Sequence, residues 1–199
     1  MEITAAAVKG LREKTGVGMM ECKNALVEAG GDAAEAEKIL RKRGLAAAAR
    51  KAGRATGEGA IASYIHTGGK IGVLLEVNCE TDFAARSEDF RRLVHDIAMH
   101  VAAAAPRFTR REDVTETILA DEREIARDQA LKSGKPAQVV DKIVEGKMEK
   151  FYAENCLLEQ PFVKDPDKTV GQLVGESVGR IGENIQVRRF ARFVLGESA

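Results

Sequence analysis

The sequence predicts an α+β fold: a bundle of three short helices, a basic glycine-rich linker, then a small antiparallel sheet packed with helices. Three observations carry this. Apolar residues recur at helical steps of three and four through residues 1–45. Residues 46–59 then shift sharply to alanine, glycine and basic residues. Beyond them Ala60–His66 and Ile71–Val77 flank Thr-Gly-Gly-Lys and read as paired strands, with amphipathic helices and one last strand behind. The expected organisation is a three-helix module over 1–45, a linker over 46–59 and a single α+β core over 60–199.

Each element has a local cause. Thr4 is placed to cap a first helix that carries Ala5, Val8 and Leu11 on one face and ends near Gly16. A second helix opens at Met19-Met20 and sets Met19, Cys22, Leu26 and Ala29 on one face; Gly30-Gly31 stops it. Asp32 followed by Glu35 reads as a capping box, and the third helix turns Ala36, Ile39 and Leu40 inward until Gly44 ends it. Adjacent helical residues diverge by about 100 degrees, so Met19 and Met20 do not share a face. Either one meets solvent or a partner, or both line a turn and are half covered.

In the core, Gly68-Gly69 suits a two-residue hairpin turn. Ser87 offers the cap of a long helix with Leu93, Ile97, Val101 and Ala104 on one face, ending before Pro106. Residues 111–133 carry Val114, Ile118 and Ile125 amid dense charge, which predicts a largely exposed helix. Gly134-Lys135-Pro136 breaks the chain and opens a helix bearing Val140, Ile143, Val144, Met148 and Phe151. Residues 152–169 read as irregular, punctuated by Pro161 and Pro166. Val170, Leu173, Val174, Val178 and Ile181 mark one more helix, closed by Gly182, and Ile185–Leu195 is the last strand.

Composition narrows the function. Lys plus Arg and Asp plus Glu both number 31, for a net charge of 0. That balance argues against a generic phosphate-backbone binder, whose affinity rests on excess positive charge. Arg41, Lys42, Arg43, Arg50, Lys51 and Arg54 form a local basic cluster that reads as a solvated helix face or as a contact for RNA or an acidic protein; no aromatics interleave to stack bases. No apolar stretch reaches the roughly 20 residues that span a bilayer. Met1-Glu-Ile-Thr lacks a basic flank and apolar h-region. The three cysteines, 22, 79 and 156, match no zinc spacing. A cytoplasmic, reduced, soluble chain is expected.

Catalytic signatures are missing. There is no phosphate-binding Gly-x-x-x-x-Gly-Lys-Ser/Thr, and no Gly-x-Gly-x-x-Gly after a strand. His95 and His100 stand about 140 degrees apart on one helix and do not converge on a metal; an exposed and a partly packed histidine are expected. Cys79 at a strand end reads as a small buried residue, with a nucleophile as the alternative.

The densest signal lies in residues 71–84. The apolar run Ile71-Gly-Val-Leu-Leu-Glu-Val77 breaks into Asn-Cys-Glu-Thr-Asp-Phe83-Ala84. Two readings are open. The strand either delivers Asp82 and Phe83 to a surface tip, or it turns into a helix with Phe83 tucked into the core.

Taken together, Leu11-Arg-Glu-Lys-Thr-Gly-Val-Gly-Met-Met-Glu-Cys-Lys-Asn-Ala-Leu26 and Val77-Asn-Cys-Glu-Thr-Asp-Phe83 closely resemble bacterial translation elongation factor Ts. The likeness continues in order through Ile97-Ala-Met-His100, Ser133-Gly-Lys-Pro136, Leu158-Glu-Gln-Pro-Phe-Val163 and Gly182-Glu-Asn-Ile185. The resemblance implies a guanine-nucleotide exchange factor for the GTPase elongation factor Tu, not an enzyme, with no cofactor and no bound metal. It implies that the N-terminal helices are a ubiquitin-associated-like docking module, with Arg12, Met19, Met20 and Lys23 in the contact with the GTPase domain. It implies that Thr81, Asp82, Phe83 and Ala84 form the tip that disturbs the partner's magnesium site. The family pattern has Val where Ala84 stands, so weaker local packing is expected there. With room for one core copy, the chain resembles the short forms, which implies a homodimer and a 2:2 complex, with no membrane or direct nucleic-acid contact. The rival classes are a binding module without exchange activity and an enzyme built on Cys79.

Overall fold

The structure, a computed structural model, describes residues 3–133 and 136–197. The described residues form eight α-helices and five strands. The helices are α1 (Ala5–Thr15), α2 (Met19–Glu28), α3 (Ala33–Lys51), α4 (Asp82–Arg86), α5 (Glu88–Ala104), α6 (Glu116–Lys132), α7 (Ala137–Asn155) and α8 (Val170–Ile181). The strands are β1 (Glu58–Ile65), β2 (Ile71–Cys79), β3 (Pro161–Phe162), β4 (Asp165–Thr169) and β5 (Ile185–Val194). The fold class is α+β, as the sequence indicates. A three-stranded sheet runs in the order β1-β2-β5, and β3 pairs with β4 in a separate two-stranded ribbon. The chain divides into two compact units. The first takes Met1–Ile61, Glu76–His95 and Gln172–Val187; the second takes Ala62–Leu75, Asp96–Gly171 and Arg188–Ala199. The strands of the main sheet and α5 contribute to both.

In the first unit, local chemistry sets the N-terminal helices. The Thr4 side chain accepts from the Ala7 N–H at 3.2 Å, and Gly16 closes α1 in the left-handed region at φ 69°. Val8, Leu11, Cys22, Ala25, Leu26, Ala36 and Leu40 form the core of the bundle. Asp32 caps α3 through the Ala34 and Glu35 N–H groups, at 2.8 and 3.0 Å. Those two donors hold its carboxyl below the ordinary range. The capping box is only half made, because Glu35 turns to Lys38 at 3.2 Å instead of reaching back.

Two sequence expectations fail in this unit. Met19 is exposed and does not share the buried face of Cys22 and Leu26. Gly44 does not end α3, which runs on to Lys51. The reason lies in packing. A Cβ on Gly179 of α8 would stand 2.9 Å from the Gly44 Cα, so the two helices touch backbone to backbone. The close approach excludes a side chain at Gly179, while Gly44 lies within the helix and forms no left-handed cap. Arg41 extends the same contact to Glu176 at 3.2 Å and Gln172 at 2.7 Å.

The hairpin in the sheet is looser than a two-residue turn. The His66 N–H donates to the Ile71 carbonyl at 2.9 Å, which leaves four residues in the loop. Gly68 and Gly69 both have positive φ, 93° and 69°, a conformation that side chains strain against.

The second unit is built on a helical pair. Val114, Leu119, Ala126 and Ala130 pack against Val140, Val144, Met148 and Phe151. Ile125, read as an apolar anchor, is 51% exposed; the turn of helix buries Ala126 instead. The α6 helix starts later than the charge pattern suggests, at Glu116 behind a Thr115 cap. The expected break at Gly134-Lys135 lies outside the described residues, and α7 follows Pro136. Residues 152–169 are not irregular. The α7 helix continues to Asn155, a 3-10 turn spans Leu157–Glu159, and the β3–β4 ribbon follows.

His100 is fully buried, more than partly packed. The Val163 N–H donates to its Nδ1 at 3.3 Å, so the ring proton sits on Nε2 and is donated to Gln160 Oε1 at 3.0 Å. The Gln160 amide donates in turn to the Glu154 carbonyl at 2.7 Å. Burial pushes the imidazole pKa down despite the Gln160 bond.

Candidate partner-binding surfaces

The first surface is the outer face of α2. Cys22, Ala25 and Leu26 are fully buried, so helical geometry turns Met19, Met20, Lys23 and Val27 outward. Met20 is 66% exposed and Val27 60%. Met20, Lys23 and Val27 stand at i, i+3 and i+7 and make one stripe, with Met19 beside Lys23 at i, i+4. Arg12 is exposed on α1. Val27 was not singled out from the sequence; its signal is the seven-residue spacing from Met20, two turns along the same face.

The second surface is the tip at residues 81–84. Phe83 is 84% exposed and is not tucked into the core. Ala84 is buried, at 3%. Thr81 caps the short α4, its hydroxyl oxygen accepting the Ala84 N–H at 3.2 Å. Asp82 is exposed and pairs with Arg86 one turn on. Such an exposed pair contributes little to stability.

A pair of crossed carboxylates fastens the base of this tip. Glu183 accepts the Thr81 hydroxyl at 2.6 Å and the Thr81 N–H at 3.0 Å. Glu80 accepts the Asn184 N–H at 2.6 Å and Arg54 at 3.4 Å. The Asn184 N–H bond, the larger cause, and Arg54 lower the Glu80 carboxyl pKa. Asn184 itself donates to the Arg54 carbonyl at 2.8 Å, and Lys51 to the Gly182 carbonyl at 2.6 Å. Glu80, Glu183 and Asn184 were not identified as site residues from the sequence. The only signal was their place in the recurring strings that surround the tip.

This geometry uses much of the basic cluster. Arg41 meets Glu176, Arg43 meets Glu28, and Lys51 and Arg54 are held at the tip base. Cys79 is fully buried and its thiol lies 3.1 Å from the Thr81 carbonyl, to which it donates. Burial, then the Glu183 charge, raises its pKa, which disfavours the thiolate a nucleophile requires. Burial also pushes Cys156 up to about 11. Among the described residues no group of three His, Cys, Asp or Glu side chains is placed to hold a metal, and no helix is long and apolar enough to cross a membrane.

The fold defines a class first: an α+β protein that presents exposed apolar side chains on the α2 face, on the Phe83 tip and on the strands of its sheet, Ile65, Leu74 and Phe193 among them. The particular family follows from comparison with known proteins. The family model described as Elongation factor TS matches residues 33–197. The chain is 62% identical to elongation factor Ts of Koribacter versatilis over 197 residues, covering 99% of this chain and 90% of that one. It is 60% identical to that of Solibacter usitatus, covering 93% of that protein, and 60% identical to that of Caldanaerobacter subterraneus, covering 98%. The chain belongs to the elongation factor Ts family, and its role lies in translation elongation.

Proposed function

We propose that this chain is a guanine-nucleotide exchange factor for elongation factor Tu. It makes and breaks no covalent bond and needs no cofactor of its own. The observation that carries this reading is Phe83: a large apolar side chain, 84% exposed, on a tip fastened at its base. A phenylalanine held out to solvent on a fastened tip offers a large apolar area to a pocket on a partner. The outer face of α2, with Arg12, Met19, Met20, Lys23 and now Val27, docks the GTPase domain. The Thr81–Ala84 tip enters beside the nucleotide. Both surfaces belong to the same compact unit, so docking by one delivers the other.

The mechanism is linkage. The factor binds nucleotide-free Tu more tightly than GDP-bound Tu, so it weakens GDP by the same factor by which GDP weakens it. A magnesium ion held with the nucleotide on the GTPase would supply part of the attraction for GDP. When the tip disturbs that site, GDP loses a major attraction.

The second unit supplies a further surface. Ile65, Leu74, Phe193 and Leu195 are 66%, 49%, 65% and 77% exposed on or beside its strands, while Val73 and Leu75 fill the opposite face. A second copy of the chain covers this face, giving a homodimer and a 2:2 complex with Tu. The protein acts in the cytoplasm, without membrane or direct nucleic-acid contact. The partnering of the basic cluster supports the last point.

The test is stopped-flow release of fluorescent GDP from Tu. The parent accelerates release, and Met20→Asp raises the half-saturating concentration about tenfold, the loss of one buried apolar contact, while leaving the limiting rate unchanged. No acceleration at micromolar protein would sink the proposal in favour of a binding module without exchange activity.

A further inference from the structure

We infer that Glu183, 102 residues beyond Thr81, is the positioning residue that sets the pose of Phe83. The inference rests on the exchange reading and says which side chain makes the tip effective. A helix of five residues is too short to hold itself together, since nucleation costs more than one turn returns. Phe83 supplies no packing to α4, because it faces solvent, and the Asp82–Arg86 pair is exposed. Three anchors remain. One is Ala84, the buried residue of α4. A second is Ser87, whose N–H and hydroxyl both donate to the Ala84 carbonyl, at 3.0 and 2.7 Å, and hold the far end of the turn. The third, at the end that leads into Phe83, is the Thr81 cap.

The cap in turn depends on Glu183. The Thr81 hydroxyl has one proton and lone pairs to accept with. Its proton goes to Glu183 at 2.6 Å, and its oxygen accepts the Ala84 N–H at 3.2 Å. With the proton held by Glu183, the lone pairs point at the first turn of α4. The second carboxylate oxygen takes the Thr81 N–H at 3.0 Å, so both ends of the capping residue are gripped by one side chain. Glu80 makes the mirror contact to the Asn184 N–H at 2.6 Å, tying the segment before β5 to the segment after β2. Because of this bracing, rotation of Thr81 requires more than one bond to break. The Glu183 carboxylate accepts both bonds from Thr81, so its effect on exchange runs through that residue.

The experiment is a double-mutant cycle of Glu183→Gln with Phe83→Ala, read by GDP release from Tu. An amide keeps one acceptor oxygen and loses the second. Glu183→Gln is expected to lower the limiting rate about three- to tenfold, within the range for a charged hydrogen bond lost at a partly exposed site. The half-saturating concentration stays put, because the α2 face is untouched. In the Phe83→Ala background the same change is expected to cost nothing further. Where the parent accelerates GDP release, equal losses in both backgrounds, or no loss in either, would overturn the assignment. Amide hydrogen exchange over 82–86 separates failure of the inference from failure of the exchange reading. Faster exchange there in Glu183→Gln, at unchanged melting temperature, supports the positioning role even if Tu does not respond. Unchanged protection refutes it even if GDP release slows.

Discussion

Replacing Phe83 with alanine separates binding energy from folding energy. In the free protein the side chain is 84% exposed, so its removal takes almost nothing from the core. Fully burying a phenylalanine stabilises by about 1.5–3 kcal/mol. Scaled by the exposed fraction, the amount available to a partner is roughly 1.3–2.5 kcal/mol, or about nine- to seventyfold in rate if it appears as GDP leaves. Phe90, seven residues on, supplies the contrast because it is completely buried. Its truncation should cost about 3–5 kcal/mol of stability. The assay pairs stopped-flow GDP release from Tu with thermal unfolding by circular dichroism. Phe83→Ala should slow release within the stated range and leave the unfolding midpoint within about a degree; Phe90→Ala should drop the midpoint by several degrees. If Phe83→Ala exchanges GDP as fast as the parent, the tip is not the working element. If it loses activity and stability together, the side chain is doing something in the free protein that its exposure denies.

Two further predictions follow. Gly44→Ala adds a methyl 3.6 Å from the nearest backbone, an ordinary contact, and should raise stability by about 0.5–1 kcal/mol through helix propensity; Gly179→Ala drives its methyl to 2.9 Å from the Gly44 Cα and should cost about 1–2 kcal/mol net, and urea unfolding that ranks them the other way would refute the close α3–α8 contact. Burial depresses the folded pKa of His100 below its ordinary 6.5, so the unfolded chain takes the proton first; the stability His100 provides is full above about pH 6.5 and is lost as pH falls through that value and below. His100→Gln should flatten the fall in melting temperature between about pH 7 and 5, and an equally steep fall in parent and variant would refute the assignment.

How much of this was legible in the sequence depends on the distance over which each cause acts. The Thr4 cap, the Gly16 stop and the buried Val8–Leu11 and Cys22–Leu26 faces were readable because capping and helical periodicity are settled within a few residues. Gly44 was misread because glycine has two structural meanings, and the partner that decides between them, Gly179, is remote in sequence. The series Gly171, Gly175, Gly179 on one helix face was the available clue: a repeat of four is the mark of a face that another backbone approaches. The β3–β4 ribbon was missed because Asp165-Pro-Asp-Lys-Thr169 has almost no strand propensity; its pairing comes from the hairpin with Phe162. His100 looked half-packed because its partners, Gln160 and Val163, arrive from a segment that read as irregular. At the site, Phe83 itself was visible as an aromatic stranded after a polar turn. The side chain that holds its turn was not, since nothing local connects residue 81 to residue 183.

On the proposed exchange reading, that difference has a physical consequence for the two candidate surfaces. The α2 stripe is presented by a ten-residue helix whose other face is part of a closed core, so its pose is as stable as the bundle. It is suited to set affinity. The tip has no such backing: five residues, one buried alanine and a cap at each end. Its pose is set by a carboxylate from another part of the chain, Glu183, through hydrogen bonds that yield individually at modest cost. An element that must enter a partner as that partner's nucleotide leaves gains from being held in place without being rigid. A tip welded into the core would act as a second docking surface and bind GDP-bound and nucleotide-free Tu alike, and equal affinity for two states shifts neither. A tip left without Glu183 would spend part of its binding energy on ordering itself. Changes on α2 should therefore move the concentration at which exchange half-saturates, and changes at Phe83, Thr81 or Glu183 should move the limiting rate.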